Sequence, residues 1–568
     1  MNLSSRLARA LASLYPWSVE PSEELDDSVA FIGAAVDSET VIRAGYGGGV
    51  VAAALLMPLF LTPLSRFVVF ALVALVSLSV VHGIHSLPQL LAALERTEAL
   101  GDTPNLIGRA VLRMQIQPSL ESAVRFAAET GRGPLAMSLA AHVDRSMGTP
   151  RSGLLTFADE WSDEFPALRR SAHLLATAQD APTVERGRTL DRSLAAILDG
   201  TRNRMAEFTS AIRGPSTALF AFGVMLPLAL VALVPAVPMA GFSVDIWLFV
   251  AVYNLVLPVV LVAASFRLLV RRPVAFPPPT VGRDHPGLPD RLWTRGLWGV
   301  GAGIVTYALV ATFGLASLAP LAAAGVGLGC GLLAVYRPIL EIRHSVRAVE
   351  THLTDALYLV GRQVSEGESV ESAIELAADR VPGETGAAFT DAAGLQRRLS
   401  LSVEQAFLGE YGALSDVPSA RARGTAALLA IAANEGRPAG RAIVGMADHI
   451  EELEEVEAAT KRELASVTDT LDSTAAYFGP LVAGSTVGLA GMMTGDLLAI
   501  TDTTALPHDE LGIVIGIYIV TLCFILTPLS IALRHGLDRA LCGYHVGRAL
   551  LSSMTLYVLT IALVGTIS

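Results

Sequence analysis

Long apolar runs alternate with long polar segments along this chain of 568 residues. A helix needs roughly 20 apolar residues to cross the roughly 30 Å hydrocarbon core of a bilayer. The stretches that meet or approach this length lie at 45–62, 66–83, 216–236, 246–266, 297–316, 318–336, 474–495, 511–533 and 549–567. The pattern predicts an all-α integral membrane protein with about nine transmembrane helices.

The apolar runs divide the chain into parts with different expected environments. These parts are a cytoplasmic N-terminal segment at 1–43, a transmembrane hairpin at 44–83, a cytoplasmic helical bundle at 84–215, a transmembrane pair at 216–266, a proline-rich cytoplasmic linker at 267–296, a second transmembrane hairpin at 297–336, a second cytoplasmic bundle at 337–473 and three C-terminal transmembrane helices at 474–568. The proline density of the linker excludes a continuous helix there.

The distribution of basic residues predicts how the chain is oriented in the membrane. Arginines cluster in the N-terminal segment, the two long polar segments and the linker, whereas the loops at 237–244, 317–320 and 496–510 carry no basic residue. Basic loops remain in the cytoplasm, so we expect a multi-pass protein of the cell membrane with a cytoplasmic N-terminus and an extracellular C-terminus. Arg66 is the exception to this pattern. No apolar run typical of a signal peptide precedes residue 45.

Apolar residues recur at helical spacing in both long polar segments, which predicts two helical bundles. Each bundle is expected to end in a long helix that continues into the membrane. The first such helix runs from Val184 to about Arg213 and the second from Ala439 to about Ser473. The positions expected to couple these helices to the spans are Glu207, Arg213, Glu463 and Ser473.

The two polar segments also share a sequence motif. SLESAVRFAAE at 119–129 returns 250 positions later as SVESAIELAAD at 369–379, with six of eleven positions identical. Farther along, the offset is 256, and it pairs Phe222-Gly223 with Phe478-Gly479. A net insertion of six residues in an exposed loop accounts for the change. We therefore expect that one module of spans and bundle has been duplicated.

Little in the sequence points to chemistry of its own. A P-loop requires a lysine after a glycine-rich turn, and the only lysine, Lys461, has no such context. The pair His82 and His85 lacks a third metal ligand nearby, and the three cysteines are isolated. The interiors of the predicted spans lack ionisable residues, which favours a packed scaffold over an ion pathway. We predict no catalytic, cofactor-binding or metal-binding residue, and no nucleic-acid partner.

Acidic residues exceed basic ones, with a formal net charge of −12 and arginine almost entirely replacing lysine. This balance suits a protein of concentrated salt, and we expect a halophilic archaeal source. The acidic run after His449 is interpreted either as a solvated helix face or as a docking surface for a basic partner. The candidate partner contacts are Glu121, Glu371, Glu451, Glu452, Glu454 and Glu455.

The duplicated motif, together with a long helix that passes through Gly214-Pro215 into a Phe-Gly-containing span, resembles the type II secretion system F-domain family. The resemblance covers most of 83–236 and 337–495, and the hairpin before each bundle looks more like the archaeal versions. It implies a membrane platform for a type IV pilus or archaellum. Such a platform binds a hexameric secretion ATPase, contacts pilin or archaellin subunits and membrane lipids, and forms a homo-oligomer, expected to be a dimer. It carries no catalytic residue.

Two other function classes remain open at this point. A polytopic transporter or permease with cytoplasmic regulatory domains would show substrate flux without an ATPase partner. A membrane-bound enzyme would bring polar groups together inside the spans. Both fit a multi-pass chain, and the near absence of charge inside the spans favours neither.

Overall fold

The computed structural model describes residues 3–61, 65–131, 133–146, 152–231, 233, 246–272, 278–282, 285–289, 291–435, 439–498 and 508–567. These residues form helices, turns and short connections, without a strand among them. The predicted all-α class is confirmed. The predicted loop at 237–244 and most of the one at 496–510 lie outside the described residues, as do parts of the span at 216–236 and of the linker.

Helices of the N-terminal part lead into the first bundle without a long connection. They are α1 (Leu3–Ala12), α2 (Glu23–Ile32), α3 (Ser38–Leu56) and α4 (Arg66–Gly101), followed in the bundle by α5 (Thr103–Ile116), α6 (Leu120–Thr130), α7 (Pro134–Ser146), α8 (Gly153–Glu160), α9 (Pro166–Asp180) and α10 (Thr183–Phe220). A π-helical turn at Ala221–Met225 connects α10 to the apolar helix α11 (Leu226–Val231).

The second half of the chain follows the same order of long and short helices. It comprises α12 (Ile246–Ala251), a π turn (Val252–Val256), α13 (Leu257–Val270), α14 (Leu292–Arg295), α15 (Leu297–Thr312), α16 (Ala319–Glu350), α17 (Leu353–Glu366), α18 (Val370–Arg380), α19 (Gly383–Leu399), α20 (Val403–Leu408), α21 (Ala420–Glu435), α22 (Ala439–Ser473), a π turn (Thr474–Phe478), α23 (Gly479–Leu498), α24 (His508–His535) and α25 (Arg539–Ile567).

Within the described ranges, eight helical stretches are long and apolar enough to cross a membrane. They are Ser38–Leu61, Arg66–Ile116, Glu185–Val231, Ile246–Val270, Ala319–Glu366, Ala439–Met492, Asp509–His535 and Arg539–Gly565. The chain is therefore a multi-pass membrane protein. Several of these helices extend well beyond their apolar portion into a bundle.

The ninth predicted span, at 297–316, is shorter than expected. Helix α15 has 16 residues and rises about 24 Å, which is less than the roughly 30 Å hydrocarbon core. It ends because Gly314 adopts a left-handed conformation, with φ of 79°, that reverses the chain. The sequence pattern overestimated this span because apolar residues continue through the turn.

The shared motif forms an equivalent helix in each bundle. Ser119 Oγ accepts a hydrogen bond from the Ser122 N–H at 3.3 Å, and Ser369 Oγ accepts one from the Ser372 N–H at 3.1 Å. Both serines are therefore N-caps. The residues buried beneath them are Leu120, Ala123, Val124 and Ala127 in α6, and Val370, Ala373, Ile374 and Ala377 in α18.

Glycines allow the membrane helices to approach closely. A Cβ at Gly299 of α15 would lie 2.3 Å from the Gly327 carbonyl oxygen of α16, and one at Gly329 of α16 would lie 2.8 Å from the Gly547 oxygen of α25. Backbone therefore packs on backbone at both crossings. These glycines thus serve contacts between helices of this chain.

We expect the substitution Gly299→Val to destabilise the α15–α16 pair by overpacking, at a cost of about 1–3 kcal/mol. Gly301→Val is the matched control, because a Cβ at Gly301 in the same helix meets no atom within 4 Å. The thermal midpoint of the detergent-solubilised protein should fall for the first variant and not for the second. Equal midpoints would contradict the assigned packing.

Candidate functional site at the membrane junction

The two bundles share a contact surface formed by α5 and α10 of the first and by α21 and α22 of the second. Leu112 of α5 belongs to the apolar core of the second bundle. In turn, Leu453 and Val456 of α22 belong to the core of the first. Because each bundle buries side chains of the other, a displacement of one bundle is transmitted to its neighbour.

Glycines set the closest approaches across this surface. A Cβ at Gly108 of α5 would lie 2.2 Å from His449 Nε2 of α22, so the imidazole packs directly on the α5 backbone. The Arg109 guanidinium lies over Gly424 of α21, where a Cβ would be 3.4 Å from Nε. Larger residues at either glycine would separate the bundles.

His449 is held in its neutral form by this environment. Its side chain is buried, 5% exposed, in the part of α22 that belongs to the second bundle, well before the apolar stretch that begins after Ser473. Burial lowers the pKa of His449 to about 4, and the nearby charges of Arg421 and Arg109 act in the same direction, while the Pro104 carbonyl opposes them. The imidazole is therefore an apolar packing element of the contact surface at neutral pH.

Several carboxylates of the acidic run of α22 form ion pairs with arginines of this chain. Arg421 of α21 donates to Glu454 at 3.0 Å and to Glu457 at 3.1 Å. Arg202 of α10 lies 3.9 Å from Glu455. These pairs connect α22 to both bundles, so Glu454 and Glu455 contribute to the shared surface as well as to its charge.

Glu451 and Glu452 lie on the exposed side of the same helix. The Tyr358 hydroxyl of α17 donates to Glu451 Oε2 at 3.1 Å and also contacts Asp448. Partial burial raises the pKa of Glu452, and Arg202 lowers it in part. These two carboxylates, together with Glu455, whose side chain is 70% exposed, remain accessible to a partner.

The two first-turn glutamates lie apart from that run. Glu121 and Glu371 are both exposed, one in the first turn of α6 and the other in the first turn of α18. Glu121 lines a groove together with Phe126 and with Ile431 of α21. The structure therefore places the duplicated motif of the first bundle against a helix of the second.

The predicted coupling residues lie along two uninterrupted helices. Glu207 and Arg213 are exposed on α10, which has 38 residues. Glu463 is exposed on α22, which has 35 residues, and the half-buried Ser473 is its last residue before the π turn. Each helix continues through a π turn into an apolar helix, so no loop separates bundle from membrane.

A set of buried or half-buried arginines, which we call the arginine junction (Arg272, Arg343 and Arg534), lies where the spans meet the two bundles. Arg272, 3% exposed, donates to the carbonyl oxygens of Ala532 and, at 3.2 Å, Arg534. These carbonyls belong to the last turn of α24, where a cation is favoured, and the Ala532 oxygen also accepts from the Gly536 N–H at 3.1 Å. The Thr97 hydroxyl of α4 donates to the Arg272 carbonyl at 3.2 Å.

Arg534 extends the junction to the coupling helix α22. Its Nε donates to Thr468 Oγ1 at 2.5 Å, and its guanidinium pairs with Asp469 and lies 3.9 Å from Asp472. The Ser530 hydroxyl of α24 also donates to the Thr468 carbonyl at 3.2 Å. The C-terminal end of α24 is therefore fastened to the last turns of α22.

Arg343 of α16 completes the junction. It donates to both carboxylate oxygens of Asp538, at 2.9 and 2.7 Å, and to the Pro279 carbonyl at 3.0 Å. Asp538 also accepts from the Leu541 N–H at 2.7 Å and so caps α25. Burial raises the pKa of Asp538, but the hydrogen bonds from Arg343 and Leu541 outweigh burial and lower it.

Inside the membrane, the hydroxyls of two tyrosines donate hydrogen bonds to the backbone around Pro227. Pro227 has no N–H and leaves the Gly223 carbonyl of the preceding turn without its helical partner. The Tyr518 hydroxyl of α24 donates to that oxygen, and the Tyr253 hydroxyl donates to the Pro227 carbonyl at 2.5 Å. The π turn after α10 is therefore fixed to α24.

The sequence prediction did not identify the arginine junction or these tyrosines. The arginines were used only as indicators of topology, since basic residues near span ends are ordinary in membrane proteins. One signal was present: Asp538 follows Gly536 and precedes a helical run, as an N-cap does. In the part of the chain described here, no group of three or more His, Cys, Asp or Glu is placed to hold a metal.

We expect Asp538→Asn to destabilise the protein by about 3–5 kcal/mol, because the Arg343 charge would remain buried without its partner. Asparagine still caps α25, so the loss reports on the ion pair. Glu341→Gln is the control, since the pair Arg337–Glu341 on the same helix is exposed and contributes about 0–1 kcal/mol. A similar small drop in the thermal midpoint for both variants would contradict the role assigned to Arg343.

His449 should make the stability depend on pH. Its pKa in the folded state lies below its ordinary value, so the unfolded chain binds the proton more readily. Stability is full above pH 6.5 and falls by about 1.4 kcal/mol per unit as pH decreases toward 4. The variant His449→Asn should flatten the decrease in thermal midpoint over this window, whereas His173→Asn, at an exposed position of α9, should not. An unchanged slope in His449→Asn would contradict this account.

Comparisons with known proteins do not assign the chain to a family. No family model, no curated protein and no solved structure matches it. The function is therefore argued from the geometry of the two bundles, their shared surface and the arginine junction.

Proposed function

We propose that this multi-pass protein is the membrane platform of a type IV pilus-like or type II secretion-like assembly machine. In this proposal a cytoplasmic ATPase binds the bundles, and its conformational changes move the spans so that pilin subunits leave the bilayer and join a filament. The observation that carries the proposal is that α10 and α22 each connect a bundle to the membrane without a loop.

The parallel order of the helices supports a duplicated module. Six helices, α5 to α10, form the first bundle within the described residues, and six, α17 to α22, form the second. The N-caps and buried positions of the shared motif coincide, and a π turn follows the long helix in each half. Two equivalent bundles offer a motor two similar contact regions, as expected of a platform for a symmetric partner.

Because of the shared surface, the two bundles would move together when a force acts on either of them. An ATPase that displaces either bundle also displaces the other, because Leu112 and Leu453 are each buried in the neighbouring core. Both long helices would then act on the membrane together. Glu451 and Glu452 are among the accessible acidic groups through which a basic surface of the motor would dock.

The proposed orientation places both bundles in the cytoplasm, the N-terminus inside and the C-terminus outside. It requires the short helix α15 to cross the membrane as a ninth span, in addition to the eight longer stretches. The basic arginine junction then lies at the cytoplasmic membrane surface, in agreement with the distribution of positive charge. In this arrangement a homodimer would bring four bundles beneath one filament. A halophilic archaeal source is consistent with the acidic surface.

We expect a Gly-Ser-Gly-Ser insertion after Arg213, or between Ser473 and Thr474, to abolish filament assembly and leave membrane insertion intact. The insertion interrupts the helix that connects bundle and span, so motion of the bundle no longer reaches the membrane. Filaments are counted by electron microscopy in a strain that lacks the native gene and carries the variant, and the protein is quantified in its membrane fraction.

The matched control carries the same insertion after Ser400, a residue with φ of 54° that ends α19. This position lies in a connection and interrupts no helix, so filaments should persist. Normal filament numbers with the α10 or α22 insertions would refute the coupling. Substrate flux through vesicles that contain the purified protein alone would favour a transporter instead.

A further inference from the structure

Helix α1 has an amphipathic character that neither the bundles nor the junction uses. Ser5 and Ala12, seven residues apart, are buried and face α3. Leu7 of α1 and Leu14, in the turn directly after it, are 57% and 51% exposed. Exposed apolar side chains of this kind are unfavourable in water, so we expect another apolar surface to contact this stripe.

The position of α1 indicates what covers that stripe. α1 crosses α3 at Gly47, where a Cβ would be 1.9 Å from the Leu11 carbonyl oxygen. The apolar run of this span begins near residue 45, so the crossing lies at the first turn of the span. A helix at this level lies along the membrane surface instead of in the open cytoplasm.

Aromatic side chains mark the same level. Tyr15 stacks on Tyr46 of α3 with ring centroids 4.7 Å apart, and Trp17 meets Tyr15 edge-on at 4.9 Å. Tyr46 in turn contacts His85 of α4, which is hydrogen-bonded to the Ile42 carbonyl at 2.9 Å. Trp17 remains 64% exposed. Tyrosine and tryptophan concentrate at the headgroup level of membranes, since their rings are apolar and their edges polar.

The charge of this segment differs from that of the whole chain. Residues 1–19 contain Arg6 and Arg9 and no acidic residue, although the chain has a formal net charge of −12. Arg6 is exposed on the face next to the apolar stripe. Arg9 is also exposed, and it donates to the Ala35 carbonyl at 3.3 Å, which holds α1 beside the loop before α3.

We propose that α1 and the Tyr15–Trp17 turn form a docking surface for anionic phospholipid headgroups of the cytoplasmic leaflet. Leu7, Leu14 and Trp17 insert among the upper acyl chains, and Arg6, with Arg9 beside it, pairs with the lipid phosphates. The surface fixes the tilt of the hairpin α3–α4 relative to the bilayer. It is independent of the ATPase and pilin partners proposed above.

Quenching of tryptophan fluorescence by brominated lipids tests this placement. The full-length protein is reconstituted in phosphatidylcholine vesicles that contain the same small fraction of either brominated phosphatidylcholine or brominated phosphatidylglycerol. The signal of Trp17 is the difference between the wild-type protein and Trp17→Phe. We expect both lipids to quench Trp17, and phosphatidylglycerol to quench it more strongly.

Charge variants separate the anionic preference from simple burial in lipid. Arg6→Gln should reduce the preference for phosphatidylglycerol about fivefold, the effect expected for one arginine near an anionic surface. Arg188→Gln, at an exposed position of α10 in the first bundle, is the control and should leave the preference unchanged. High salt should weaken the preference and not the quenching itself.

Two results would overturn the proposal. If neither brominated lipid quenches Trp17, the stripe is covered by protein, either a second copy of the chain or another partner. If both lipids quench Trp17 equally in the wild-type protein at low salt, the surface has no preference for anionic headgroups.

Discussion

Buried guanidinium groups at the level where the spans meet the bundles fix how helices that are distant in sequence are joined. A charge removed from water has to be compensated by oppositely charged or polar groups at close range. Arg343 finds both oxygens of Asp538, and Arg272 finds the last carbonyls of α24. Each satisfied arginine holds together elements that are distant in sequence, so the relative position of the spans follows from a small number of polar contacts.

Inside the bilayer, buried polar groups also need partners at close range, and there the groups are backbone carbonyls and tyrosine hydroxyls. Pro227 removes one backbone hydrogen bond, and the Tyr518 hydroxyl replaces it from another span. Glycines then permit the close crossing of α15 on α16, where the packing surface is backbone. Strong polar contacts therefore occur at the membrane edge and at the π turn, and close van der Waals packing holds the remaining spans together.

The sequence was sufficient to predict those structural features that depend on residues close together in the chain. Apolar runs predicted the spans, and the helical spacing of apolar residues predicted the two bundles, because periodicity is a property of neighbouring residues. The sequence pattern did not predict where α15 ends. A glycine in the left-handed conformation ends the helix, but on a hydropathy scale it does not interrupt the apolar run. The pairing of Arg343 with Asp538, or of Arg421 with Glu454, depends on tertiary packing, and no spacing in the chain reveals it.

Both long helices lead to the same span, and this convergence bears on how a platform would work. The π turn after α10 is bonded to α24 through Tyr518, and the end of α22 is bonded to α24 through Arg534 and Ser530. The two helices that lead to α24 differ in stiffness, because α10 contains Pro215 within its length and α22 contains no proline. In the proposed mechanism, a push from the bundles would reach the C-terminal end of α24 through the stiffer helix and its middle through the softer one. Unequal displacement at two points along one span tilts that span, and a tilt changes the space between α24 and its neighbours without breaking the arginine junction.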